Sequence, residues 1–184
     1  MARPRVIDRD RLLDVAEKCV GENGAISLTF GSLAAAAGLS KGTVQTIFVT
    51  RDNLLEALLT RWMDREKVRF EDEKAGVDTA EAHVLAHLKT TEQEDVEIGR
   101  TVLTMLAAIA ENGRTSHVMK DWYQDRLRDL EADTPDARRQ RIAYLAAEGA
   151  FLVRNVIGLK IEKDRWEEIF RDLRDLARSW PVID

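Results

Sequence analysis

The sequence predicts an all-α protein, and three observations carry that expectation. Apolar residues make up 45% of the 184 positions, and over long stretches they recur at three- and four-residue spacing, the repeat of one helix face. Only three prolines occur, Pro4, Pro135 and Pro181, each where a terminus or a helix start is expected, so the stretches between are free of strong breakers. No segment alternates apolar and polar residues as a half-buried strand does.

The elements follow in order. Asp8, preceded by Ile7, is an N-cap candidate for a first helix to about Val20, with Leu12, Val15, Ala16 and Cys19 inward and Gly21 to Gly24 ending it. Thr29 caps a second helix to about Ala37, Gly38 makes a turn, and Ser40 caps a third helix to about Phe48. Thr50 or Arg51 opens a long fourth helix, apolar from Leu54 to Met63 and almost wholly charged from Asp64 to Lys74, as in a helix leaving a core for solvent. Asp78 with Glu81 reads as a capping box for a fifth helix, with Val84, Leu85 and Leu88 as its inner face.

Val96–Glu111 is apolar nearly all round, which suits a buried central helix ending at Asn112-Gly113. Thr115 or Ser116 opens the next, carrying Trp122, Tyr123, Leu127 and Leu130. Thr134-Pro135 starts the penultimate helix, to about Leu159. Asp164 starts the last, where Trp166, Ile169, Phe170, Leu173 and Leu176 repeat at helical spacing. Residues 1–55 are expected to form one small domain and residues 56–184 a second.

The single cysteine, Cys19, excludes an internal disulfide framework and suits a reducing cytoplasm. The longest nearly apolar run, Val102–Ala110, is too short to span a bilayer, and the charged N-terminus lacks the apolar stretch of a signal peptide. No membrane association is expected. Net charge is −5, which by itself argues against nucleic acid, but its distribution does not. Residues 1–55 carry seven basic side chains against six acidic ones, and no acidic side chain lies between Asn23 and Arg51. A surface facing phosphates requires that absence, because a carboxylate there would be repelled and costly to desolvate.

The acid-free stretch holds the pattern LTFGSLAAAAGLSKGTVQTIF, residues 28–48. Two helices crossing closely need a small residue at the contact, a turn glycine able to take positive φ, and apolar side chains that lock the angle. Ala34, Gly38 and the set Leu33, Ala37, Leu39, Val44 and Ile47 supply these in turn. A plain αα-corner would satisfy the packing alone. What it would not require is the exposed remainder: Lys41, Thr43, Gln45 and Thr46 offer a cation, hydroxyls for phosphates and an amide that can pair with adenine. The candidate DNA-contacting residues are Thr29, Ser32, Ser40, Lys41, Gly42, Thr43, Gln45, Thr46 and Arg51.

Over about residues 8–62 the chain resembles the TetR family of bacterial regulators. A first helix ends in GENGAISLT, FGSLAAAAGLSKGTVQTIF follows, and then VTRDNLLEAL. Where the family typically reads GVSKGTLYxxFxSKExL, this chain reads GLSKGTVQTIFVTRDNLL. The resemblance implies a homodimeric, usually repressing transcription factor that a small-molecule ligand releases from operator DNA. It further implies that Thr29 and Ser40 bond phosphates, that Lys41, Gly42 and Thr43 open the recognition helix, and that Arg51 replaces a phosphate-binding lysine. Two positions depart from the family. Gln45 stands for its usual tyrosine and Gly31 for a frequent basic residue, and both changes weaken phosphate anchoring.

In the second half, AYLAAEGAFLVRNVIGL looks like the penultimate helix of many members. Its small-residue face (Ala143, Ala146, Ala150, Val153, Ile157) suits close packing, and the dimer is expected through the last two helices of each chain. Candidate effector-pocket residues are Trp62, Met105, Ile109, Trp122, Tyr123, Glu148, Phe151 and Asn155, which mix apolar walls with a few polar groups. Any one of them also suits plain core filling. His83 and His87 stand four apart and could share a metal, but no further ligand lies at motif spacing, so neither a metal nor another cofactor is expected. No phosphate loop, nucleophile elbow or HExxH motif occurs, so the chain is not expected to be an enzyme. The alternative is a helical protein-interaction adaptor that kept this fold without specific DNA binding.

Overall fold

The computed structural model describes residues 8–111, 113, 115–128 and 130–179; Pro4, Ile7, Asn112 and Pro181 lie outside them. Among the described residues are nine α-helices, one 3-10 turn (Ala25–Ser27) and no strand. The helices are α1 (Arg9–Asn23), α2 (Phe30–Ala37), α3 (Lys41–Phe48), α4 (Arg51–Lys74), α5 (Ala80–Glu92), α6 (Val96–Ala110), α7 (His117–Arg128), α8 (Pro135–Asn155) and α9 (Lys163–Arg178). None is long and apolar enough to cross a membrane.

Local chemistry sets most helix starts. Asp8 accepts from the Asp10 amide, Thr29 from Ser32, Ser40 from Thr43 and Thr134 from Ala137, ahead of Pro135. Three boundaries differ from expectation. α1 runs through Gly21 to Asn23 and stops at Gly24, whose φ of 76° and amide bond to the Val20 carbonyl close it. α5 is capped by Thr79, which accepts from the Ala82 amide, because Asp78 is engaged by the His83 imidazole at 2.8 Å. α8 ends at Asn155 rather than Leu159, where the Leu159 amide folds back onto the Val153 carbonyl.

The chain divides into two compact units, interleaved in sequence. One holds the described residues through Trp62 with Thr101–His117; the other holds Met63–Arg100 and those from Val118 on. In the first, Leu12, Leu13, Ala16 and Val20 of α1 are buried with Leu33 and Ala34 of α2, Val44 and Phe48 of α3, and Leu54, Leu55, Leu58 and Leu59 of α4. Arg61 ties α4 back to α1 through Asp14 (2.6 Å) and the Asp10 carbonyl. Glu56 receives the Ser116 hydroxyl and the His117 amide. Cys19 is half-buried.

In the second unit α5, α8 and α9 pack as a layer. Val84, Leu88, Ala143, Tyr144, Ala147, Trp166 and Phe170 form its centre, and the alanines of α8 allow close approach. The Trp166 indole donates to the Glu92 carbonyl (2.8 Å), and Arg174 pairs with the Glu92 carboxylate (2.7 Å). Gly99 is a glycine by necessity. A Cβ there would stand 3.0 Å from the Phe151 ring and 3.2 Å from Asn155.

Beside this layer the Arg69 guanidinium bridges two buried carboxylates, Glu66 and Glu94, and donates to the Thr90 carbonyl. Desolvation and the nearby Glu94 charge push Glu66 up to about 7, more than Arg69 offsets. A carboxyl raised in the folded state favours folding most at low pH, and that contribution is lost as pH rises from about 4.5 through 7. Glu66→Gln is therefore expected to lack this dependence. Thermal unfolding from pH 4.5 to 8 should show the variant gaining on the wild type by about 1–3 kcal/mol as pH rises. Parallel curves would refute the assignment.

Candidate DNA interface and effector site

The helix-turn-helix is α2 and α3. Gly38 takes φ 67° and ψ 35°, and its amide and that of Leu39 return to the Ala35 and Ala34 carbonyls, closing the last turn of α2. Leu33, Ala34 and Val44 are buried between the helices. Val49, after α3, has φ 63° and ψ −56°, with the Thr50 amide bonded to the Phe48 carbonyl at 2.6 Å. This is a tight γ-turn that a β-branched residue rarely adopts.

The hydroxyls expected at phosphates hold helix ends. Thr29 and Ser32 form a reciprocal capping box, and the Ser32 hydroxyl reaches the Ser27 and Thr29 carbonyls. Ser40 accepts from the Thr43 amide and lies 2.8 Å from the Thr43 hydroxyl. Thr46 donates to the Gly42 carbonyl at 2.9 Å. All these residues except the half-buried Thr43 are exposed. Lys41 and Gln45 are exposed too, and among the described residues neither makes a hydrogen bond or an ion pair.

Arg51 requires a correction. The expected phosphate ligand is half-buried and directed inward. Its Nε donates to the Leu28 carbonyl (2.8 Å), and its Nη2 donates to the Ala25 (2.8 Å) and Ile26 (3.3 Å) carbonyls. The Ala25 carbonyl also accepts from the Leu28 amide in the 3-10 turn, and a planar guanidinium reaches all three carbonyls.

The expected effector residues fall in both units. Met105 and Ile109 are buried and Trp62 half-buried in the first; Trp122, Tyr123, Glu148, Phe151 and Asn155 belong to the second. There, Tyr123 donates to Glu148 (2.7 Å), and the His87 Nε2 stands 3.0 Å from the other Glu148 oxygen. Burial opposes ionisation of Glu148, but the facing imidazole and the phenol together hold its pKa below the usual carboxylate value. Burial raises the Tyr123 and Tyr144 phenols, and Glu148 adds to both shifts. Tyr144 stacks on His87 with ring centroids 4.1 Å apart. His83 and His87 thus meet different carboxylates, Asp78 and Glu148.

Sequence reasoning missed Phe70 and Arg126. Trp122 and Phe70 both contact the Arg126 guanidinium, whose Cζ lies 3.3 and 3.7 Å from their ring centroids. No spacing rule marks an arginine of an amphipathic helix as lying between two rings.

The small-residue face expected on α8 divides between the packed and the exposed sides. Ala143 is buried and Ala150 half-buried, whereas the exposed side carries Ile142, Leu145, Ala146, Gly149, Leu152, Val153, Val156 and Ile157. Packing against α5 and α9 selects Ala143, Tyr144 and Ala147, and helical geometry turns the others outward.

Comparison with known proteins supplies the lineage. Residues 12–58 match the model of the bacterial regulatory proteins of the tetR family. Residues 78–178, more than half of the chain, match that of the tetracycline-repressor-like C-terminal domain. The HTH-type transcriptional repressor ComR of Escherichia coli K12 is 33% identical over 69 residues, 38% of this chain and 33% of that protein; the match thus spans about a third of the relative's length. A TetR-family regulator from a Rhodococcus species shares the fold at a TM-score of 0.65 and 20% identity, over 93% of this chain and 98% of that one. CifR, solved with a 26-base-pair operator duplex, aligns at a TM-score of 0.53 and 18% identity, over 97% and 100% of the two chains. Such likenesses concern the fold; the family models carry the assignment, and the chain belongs to the TetR family of bacterial transcriptional regulators.

Proposed function

We propose that the protein is a homodimeric repressor of the bacterial cytoplasm that binds operator DNA through α2 and α3 and leaves it when a small molecule occupies the second unit. The observation that carries the DNA reading is the surface of α3. Lys41 and Gln45 stand exposed in a stretch devoid of acidic side chains, on a helix pair locked by Gly38 and the buried Leu33, Ala34 and Val44. CifR shares the fold and is solved on operator DNA, and ComR is named a repressor; both support the reading.

The exposed side of α8 supports the dimer. Its apolar stripe recurs at three- and four-residue spacing, with Ile157 75% and Leu145 54% exposed, and nothing lies within 4 Å of the Cβ position of Gly149. An apolar stripe with a small residue at its centre suits the same helix of a second copy crossing about a two-fold axis. The exposed side of α9 carries charges of both signs, including Lys163, Glu167, Arg171 and Asp175, which suit the rim.

Fluorescence anisotropy with the chain's own upstream DNA tests the function. Sub-micromolar binding that weakens with salt at a shallow slope is expected, and equal weak binding to every duplex would overturn it. Lys41→Ala should reduce the salt slope by about two, one phosphate per subunit, with unchanged thermal stability. Arg51→Met should instead cost about 1–3 kcal/mol of stability, because the buried Leu28 carbonyl loses its partner. A stable Arg51→Met protein with only a lower salt slope would restore its phosphate role. Leu145→Glu should sediment as a folded monomer with much weaker operator binding; a dimer unchanged at micromolar concentration would exclude this face.

A further inference from the structure

We propose that the effector is a planar carboxylic acid of one or two rings, bound in its ionised form in the cleft between α4, α5 and α7 with its carboxylate on Arg126. The proposal rests on the reading of the second unit as the sensing one and names the chemistry that this site would take.

The cleft has a volume of about 290 Å³, and its walls include Phe70, Trp122, Lys74, His83 and Arg126. That space suits a small aromatic body and excludes a large amphipathic drug. Phe70 and Trp122 stand 6.4 Å apart at 62°, and His83 adds a third ring 5.9 Å from Phe70. Such flat faces favour a flat guest.

The cations of the cleft are not equivalent. Lys74 pairs with Glu71 and Asp78, and His83 with Asp78, while Lys67, also at the cleft, is exposed to solvent. Arg126 is held by two rings, and among the described residues it makes no hydrogen bond or ion pair. Its Nε is buried without a hydrogen-bond partner, as is the Tyr144 hydroxyl, whose electrostatic influence on Arg126 is favourable. Burial lowers its pKa to about 10, so it remains charged at neutral pH. A half-buried guanidinium that Asp125, Glu66 and Glu71 favour only through space, without a direct ion pair, gains from a ligand anion, and a carboxylate matches its fork.

The sign of the guest's charge follows from Arg126, and its size from the rim. Asp121, Asp125 and Glu71 also line the cleft. They would repel a doubly charged phosphate more than a singly charged carboxylate, and the planar walls add nothing for a compact inorganic anion.

The test uses the purified full-length protein, with binding read by Trp fluorescence and calorimetry. The probes are benzoate, 2-naphthoate, their amides benzamide and 2-naphthamide, and inorganic phosphate. At least one acid should bind tenfold or more tightly than its amide, with phosphate weaker still. Arg126→Met should abolish the preference for acid over amide while remaining folded, and Arg126→Lys should retain part of it. Equal binding of acid and amide, or undiminished acid binding by Arg126→Met, would overturn the proposal. So would binding of phosphate alone, or of none of the probes.

Operator anisotropy run in parallel separates the two claims. Acid binding that leaves operator affinity unchanged would support the ligand class and overturn the sensing role. Release of operator by a neutral or cationic molecule, with no response to the acids, would preserve sensing and reject this ligand class.

Discussion

What the helix-turn-helix presents depends on how one irregular turn is held. The backbone between α1 and α2 presents carbonyls at Ala25, Ile26 and Leu28. Arg51, from the first turn of α4, closes all three with one guanidinium. The turn carries the N-terminus of α2, and α2 in turn carries α3 through Gly38 and the contacts of Leu33, Ala34 and Val44. A loose turn would let the recognition helix tilt, and readout of base edges tolerates little misplacement. The bonds of Arg51 are thus made to the scaffold of the helix-turn-helix.

The capping hydroxyls have a comparable consequence. Thr29, Ser32, Ser40, Thr43 and Thr46 satisfy backbone or side-chain groups within their own helices. Each oxygen keeps lone pairs, but phosphate oxygens call for donors, and most of these hydroxyl protons already have acceptors. The charge presented by α3 then reduces to Lys41, with Gln45 able to both donate and accept. Affinity built on few cations has a shallow salt dependence, and it places more weight on base contacts and on joining two half-sites in one dimer.

The second unit combines two opposed requirements in α8. One side is closely packed through Ala143, Tyr144 and Ala147 and carries Glu148 toward His87 and Tyr123. The other is apolar and exposed from Ile142 to Val153. A buried carboxylate costs free energy unless paired, and here an imidazole and a phenol supply its partners. Arg126, by contrast, is held between Phe70 and Trp122 and, among the described residues, makes no direct ion pair.

Much of this was legible from the residues alone. Helix order, the caps Asp8, Thr29, Ser40 and Thr134, the turn at Gly38 and the all-α class follow from periodicity and from side chains able to satisfy free helix ends. These are local effects that act within a few residues. The inward turn of Arg51 and the buried side of α8 were not legible, because each depends on partners far away in sequence, and the cap at Thr79 turns on Asp78 pairing with His83. An arginine at a helix start reads as a phosphate ligand until carbonyls 23 to 26 residues earlier are found within reach. The residues by themselves determined where helices begin and which stretch is free of acidic charge. Only the tertiary structure decided which charged groups are matched inside the protein and which await a partner, because pairing is set by distance in space.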